Sequence, residues 1–243
     1  MRYVRISTIP FFAPTLIVFG LFAGSSALAG TQDGAVIALH VQAHATKSSL
    51  PCSAWEAVPC SQFRTSWPLF TPADVYLVVA RGNTEWGDGI GGVACGINYN
   101  PNAGPSDGGL DIFSWRGCAS VELTNPRDGE YDPWPSPGSG IWCVWATSTS
   151  CQRTTIGSDG VHAVAGSFYV YAYSPDILEV VPYENPVNGP ELQVVDCWAY
   201  LTDLPTTAGG AVRFGGGLGY NPCTEMIPIA PTTWGTLKQK FVK

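Results

Sequence analysis

The sequence predicts an all-β protein, an antiparallel β-sandwich of the jelly-roll type braced by disulfides. Three observations predict it. Short apolar or alternating runs follow one another along the chain, separated by clusters of Gly, Pro, Asn and Asp. Nothing in the body repeats apolar residues at helical spacing. Eight cysteines (Cys52, Cys60, Cys95, Cys118, Cys143, Cys151, Cys197 and Cys223) all follow an N-terminal leader, an even number in a chain that reads as exported.

The leader is read from three features. Arg2 and Arg5 give a positive start, an apolar stretch runs over 9–23, and Ala27-Leu28-Ala29 offers small residues for cleavage near Ala29. Pro10, Pro14, Gly20 and Gly24 interrupt the stretch, which is short for a membrane-spanning helix. No later segment is long and apolar enough to span a bilayer, so the expected location is extracellular or at a cell surface.

The strands follow in order. Residues 36–44 alternate, with Ile37, Leu39, Val41 and Ala43 on one face and Ala38, His40, Gln42 and His44 on the other, as in a half-buried strand. Residues 75–80 are apolar throughout and are expected to be covered on both faces. Further strands are expected at 92–99, 110–115, 118–123, 141–146, 166–173, 177–181, 192–200 and 211–214. Such a succession without intervening helices makes a sandwich or jelly roll. The leader occupies 1–29 and the sandwich 30–226, either as one unit or as two similar halves, about 30–160 and 161–226. A linker and short basic tail fill 227–243.

The cysteine spacing suggests bridges but does not fix them. Cys52 with Cys60 and Cys143 with Cys151 each enclose seven residues and suit a bridge across a loop or hairpin. That leaves Cys95 to pair with Cys118 and Cys197 with Cys223, among many permitted pairings. A structural zinc site is the alternative, but there is no Cys-x-x-Cys pair.

A repeated phrase carries a family resemblance. GIGGVACGINYNP (89–101) and AGSFYVYAYSP (165–175) both run through an alternating strand to Tyr-Asn/Ser-Pro, and GGGLGYNPC (215–223) repeats the ending. VYLVVARGNTEWGDGIGGVACGINYNP (75–101) resembles the opening of cohesin-like modules. AGSFYVYAYSPDILEVV (165–181) resembles the same phrase with its aliphatic continuation, carrying Leu178, Val180 and Val181. The resemblance implies a jelly-roll sandwich related to cohesins and carbohydrate-binding modules, a group whose fold serves binding and assembly. The cysteines and the double occurrence of the phrase depart from the pattern, so it carries fold and general role and no binding residue.

Charge excludes one class of partner. Removing Arg2 and Arg5 with the leader takes Lys+Arg from 12 to 10 against 19 Asp+Glu, a net charge of −9. Nucleic-acid binding needs basic side chains to neutralise phosphates. Lys238, Lys240 and Lys243 leave only the tail basic. There Thr232 or Thr233 could cap a short helix placing Trp234, Leu237 and Phe241 on one side, able to dock on the body, a partner or an anionic surface.

The candidate sites are few. Asp128, Glu130 and Asp132 alternate around Gly129 and could supply oxygens to calcium, although a full shell needs six to eight ligands and a solvated turn explains them as well. No other cofactor is called for. Paired carboxylates could make a glycosidase, yet none of Glu85, Asp88, Asp111, Glu122 and Glu130 nominates itself as the acid. His40 and His44 lie about 13 Å apart along their strand, too far to share a zinc ion. There is no Gly-x-Ser-x-Gly elbow. Aromatic residues are the stronger signal: Tyr169, Tyr171 and Tyr173 alternate onto one strand face, and Trp142 opposes Ile141, Cys143 and Trp145. Exposed flat rings suit sugars and protein contacts; burial under loops is the alternative. The function expected is therefore a secreted, non-catalytic module that binds carbohydrate through several of Trp86, Trp115, Trp134, Trp142, Tyr169, Tyr171 and Tyr173. A self-associating subunit of an extracellular layer or filament comes second, and a hydrolase third.

Overall fold

A computed structural model describes residues 31–44, 51–85, 89–101, 108–124, 133–145, 150–185 and 189–224. The leader 1–29, Trp86, the acidic trio Asp128, Glu130 and Asp132, and the tail residues Trp234, Leu237 and Phe241 lie outside these. No helix among the described residues is long and apolar enough to cross a membrane.

Among the described residues fourteen strands form, in chain order: β1 Val36–Ala43, β2 Ser66–Trp67, β3 Ala73–Gly82, β4 Ile90–Asn98, β5 Leu110–Gly117, β6 Val121–Thr124 and β7 Gly140–Val144. There follow β8 Val161–Ala172, β9 Asp176–Val181, β10 Tyr183–Asn185, β11 Gly189–Glu191, β12 Gln193–Asp196, β13 Leu201–Asp203 and β14 Ala211–Phe214. One sheet has four strands in the order β1-β3-β8-β5, all antiparallel. A second runs β13-β12-β4-β9-β14-β2, with β7 on β4 and β6 on β7, and β10 and β11 form a separate antiparallel pair; among these pairings only β14 with β2 is parallel. Strands from before and after residue 160 interleave in both sheets. The expected all-β, disulfide-braced antiparallel sandwich is the architecture found.

The core is where the alternation points. Ile37, Leu39 and Val41 of β1 pair with Val79, Leu77 and Val75 of β3, and Phe168 of β8 joins Val75. From the second sheet Val93, Cys95, Ile97, Ile141, Cys143, Leu178, Val212 and Phe214 meet them, all fully or almost fully buried. Side chains of alternate residues face one way on a pleated strand, so these two inner faces read directly from period-two patterning. The edge of β1 is closed, not open. Gly210 donates to Ile37 O at 2.8 Å, and a Cβ at Gly210 would sit 3.0 Å from Ala38 Cα, a tight contact that glycine avoids.

Three expectations are corrected. The first is the disulfide framework. The bridges are Cys52–Cys118, Cys60–Cys223 and Cys151–Cys197, and Cys95 and Cys143 are buried free thiols. Short spacing misleads because Cys52 and Cys60 anchor two ends of one strap to different parts of the body. Cys143 points into the core from β7, while Cys151 lies beyond the strand end. The second is 192–200, which is not one strand. Asp196 ends β12 by drawing the chain into a tight turn, and β13 returns antiparallel. The third is the outer face of β1, expected to be wet: His40 is only 5% exposed.

Candidate functional site

The outer face of the four-stranded sheet holds the candidate sites. Its side chains come from the alternate residues: His40 and Gln42 of β1, Asp74 and Tyr76 of β3, Ser167, Tyr169 and Tyr171 of β8. A bulge at Ala165 resets the alternation, so that Val164 pairs with Val78 and His162 shares this face as well.

One end of the face is covered. After a helical turn, Pro51–Ala54, residues 55–64 run as a strap over the sheet. Trp55 packs on His40 and Tyr76, with ring centroids 5.4 Å apart in both cases. Phe63 contacts Trp55, His40 and His162. The strap is tied at both ends by Cys52–Cys118 and Cys60–Cys223, and Asn221 Nδ2 donates to Cys60 O at 2.9 Å. Burial lowers the His40 pKa to about 4, and nearby Arg64 adds to the shift. The neutral imidazole then accepts the Arg64 N–H at 2.9 Å through Nδ1.

The other end carries an uncovered row of rings among the described residues. Phe113 is the extra residue of a bulge between Ile112 and Ser114 of β5, which turns it outward to 55% exposure. Its ring lies 5.5 Å from Tyr169, whose other side meets His44 at 4.3 Å. Tyr171 and Tyr173 continue the row at 4.8 Å. Polar groups flank it: His44 Nδ1 is 3.0 Å from Asp74 Oδ1, and Tyr173 hydrogen-bonds Asp111. Desolvation and that carboxylate hold the Tyr173 phenol above its usual value.

The other described aromatics proposed from the sequence are partly buried and packed against neighbouring side chains. Trp115 and Trp134 meet edge to face at 5.3 Å and both pack on Phe168. Gly166 makes room for the Trp115 ring, since a Cβ there would come within 2.4 Å of it. Trp142 is half-buried on the outer face of the larger sheet, donating its indole N–H to Glu191 at 3.2 Å. Asp111, Asp176 and Glu179 are engaged too. Asp176 accepts from the backbone of Asn100 and Ile177, and Glu179 from Asn98 Nδ2, in an open polar groove of about 450 Å³ with Arg213 at its side.

Two residues escaped sequence reasoning. Trp198 and Tyr200, 70% and 63% exposed, stand at the turn between β12 and β13. The fully buried Asp196 carboxylate holds that turn, accepting the Trp198 and Tyr200 N–H groups and the Thr31 hydroxyl, each at 2.8 Å. The adjacent Cys197–Cys151 bridge fixes it further. The available signal was Asp196 itself, an Asx-turn residue two places before Trp198.

No family model matches the chain, and no curated protein matches it in sequence. Among solved structures it is similar to a cohesin module from a family 33 glycoside hydrolase of Clostridium perfringens. The two share 8% identity over 74% of this chain and 95% of that one, with a TM-score of 0.38.

Proposed function

We propose that this protein is a non-catalytic, exported binding module that recognises carbohydrate along the row formed by Phe113, Tyr169, Tyr171 and Tyr173. The observation that carries the reading is the row itself. Large rings stand on a rigid sheet face, partly exposed, with His44, Asp74 and Asp111 beside them as hydrogen-bonding groups. Sugars present apolar C–H faces that lie on aromatic rings and hydroxyls that meet polar neighbours. The carboxylates of the polar groove are spent on structural hydrogen bonds, which supports binding over hydrolysis. A glycan-array screen of the mature protein, with calcium and with a chelator, tests this. The Tyr169→Ala/Tyr171→Ala variant should weaken the strongest signals by about tenfold or more, the worth of one or two stacked rings. Unchanged signals in that variant would sink the reading, and loss on chelation would bring Asp128, Glu130 and Asp132 into it.

One observation favours assembly as a second reading. The short strand β13 is the edge of the larger sheet, and Trp198, Tyr200 and Leu201 are all exposed beside it. Sedimentation of concentrated protein checks this. Self-association that Trp198→Ser/Tyr200→Ser abolishes would support it, whereas a monomer at every concentration would dismiss it.

A further inference from the structure

A cavity of about 250 Å³ lies beneath the strap, roofed by the Cys52–Cys118 bridge. Trp55, Trp145, Ile156 and Val164 give it apolar walls, and Gln152 and His162 line it with polar groups. Its residues range from exposed to deeply buried. Ala57 and Thr154 are exposed, while Trp145 and His162 are 2% and 4% exposed. His162 is the unusual member, because neither of its ring nitrogens has a hydrogen-bond partner among the described residues. A buried polar group without a partner costs about 1–3 kcal/mol, which a ligand bonding both nitrogens would recover. His40, on the same sheet face, has its backbone N–H partner.

We infer that this cavity is a binding site for one neutral pyranose ring, held against the tryptophans and hydrogen-bonded to His162. The chemistry of the lining narrows the class. Among the described residues no Lys, Arg, Asp or Glu lines the cavity, so a charged ligand would lose its hydration without a counter-charge. Burial lowers the His162 pKa against the opposing pull of Asp159, which keeps the imidazole neutral, with one N–H donor and one acceptor. A wholly apolar ligand would leave both unpaired. Neighbouring hydroxyls on one ring satisfy both, one giving and one receiving a proton, while the C–H face of the ring lies on an indole. The space equals about eight waters, the bulk of one hydroxylated six-membered ring. The site keeps the ligand class of the aromatic row but uses none of its residues, so the two readings fail separately.

The test observes the His162 ring directly. Full-length mature protein carrying ¹⁵N-histidine is titrated with free glucose, galactose, mannose and N-acetylglucosamine, then with the same sugars as terminal residues of disaccharides. With three histidines in the chain, the His162 signals are assigned by their loss in His162→Phe. The expected result is a saturable shift of those signals with at least one sugar. Binding should weaken about tenfold in His162→Phe, in keeping with the loss of charge-free hydrogen bonds. It should be unchanged in Tyr169→Ala/Tyr171→Ala. A response to free sugars alone assigns the site to monosaccharides, and a response to both assigns it to chain ends. If no sugar moves the His162 signals at tens of millimolar, or if His162→Phe binds as well as the parent, the proposal is wrong. If His162→Phe fails to fold, His40→Gln and His44→Gln assign the His162 signals by elimination, and the titration of the unaltered protein then decides.

Discussion

The two ends of the outer face of the four-stranded sheet begin from similar side chains and reach opposite states. At one end His40, Tyr76 and His162 lie under a strap that brings Trp55 and Phe63 onto them. At the other end, among the described residues, His44, Tyr169 and Tyr171 carry only their neighbours, and Phe113 and Tyr173 are exposed. Strand pattern does not distinguish the ends. The disulfides do, because they fasten 55–64 over one end and leave the other outside its reach. An aromatic on a sheet is therefore core or contact surface according to what is tied across it.

Cutting the ties is the largest perturbation. Cys60→Ser/Cys223→Ser opens a loop of sequence separation 163 and should lower unfolding stability by about 3–5 kcal/mol. Cys52→Ser/Cys118→Ser, with separation 66, should cost slightly less. Denaturant unfolding measures both, and a loss under about 1 kcal/mol would mean that packing alone holds the strap.

Acid comes next. His40 binds its proton at a pKa of about 4 folded against 6.5 unfolded. The unfolded chain takes up the proton first, so stability is complete above pH 6.5 and is lost as pH falls towards 4. The loss should approach 3 kcal/mol, at about 1.4 kcal/mol for each pH unit. The depressed His162 adds to it in the same direction. His40→Gln should flatten the profile in urea melts between pH 7 and 4.5, and an unchanged slope would remove His40 as its source.

Side-chain truncation then separates the two ends. Trp55→Ala should cost about 2 kcal/mol, below the usual toll for a fully buried tryptophan because Trp55 is half-buried. Phe113→Ser and Tyr173→Ser should each stay within about 1 kcal/mol while changing ligand binding, since exposed positions contribute little to folding. Thermal melts of the three variants side by side give the ranking. A loss at Phe113 as large as that at Trp55 would erase the distinction between the ends.

Most of the fold was legible because it rests on period-two alternation. Ile37-Leu39-Val41, Phe168-Val170-Ala172 and Ile141-Cys143 announce their buried face in any reading of the chain. The tyrosines of β8 were legible as a row for the same reason. The strap was not, since 51–64 is a Pro- and Ser-containing stretch whose burial depends on partners at 118 and 223. His40 read as wet because its cover is far away in sequence. The His162 cavity was invisible for that reason too, and also because the bulge at Ala165 moves His162 onto a face that simple counting denies it. Trp198 and Tyr200 hid inside an apolar run that Asp196 interrupts.

Cys95 and Cys143 lie at diagonal positions on β4 and β7, both with no exposed surface. Burial pushes the Cys95 thiol up to about 12 and the Cys143 thiol higher still. Neither offers thiolate to an oxidant or alkylating reagent while the sheets stay together. They therefore act as a stopwatch for the whole molecule: with reagent concentrated enough to outpace reclosing, the rate at which they are labelled is the rate at which the sandwich opens. In the folded state their burial also keeps both thiols out of exchange with the three bridges.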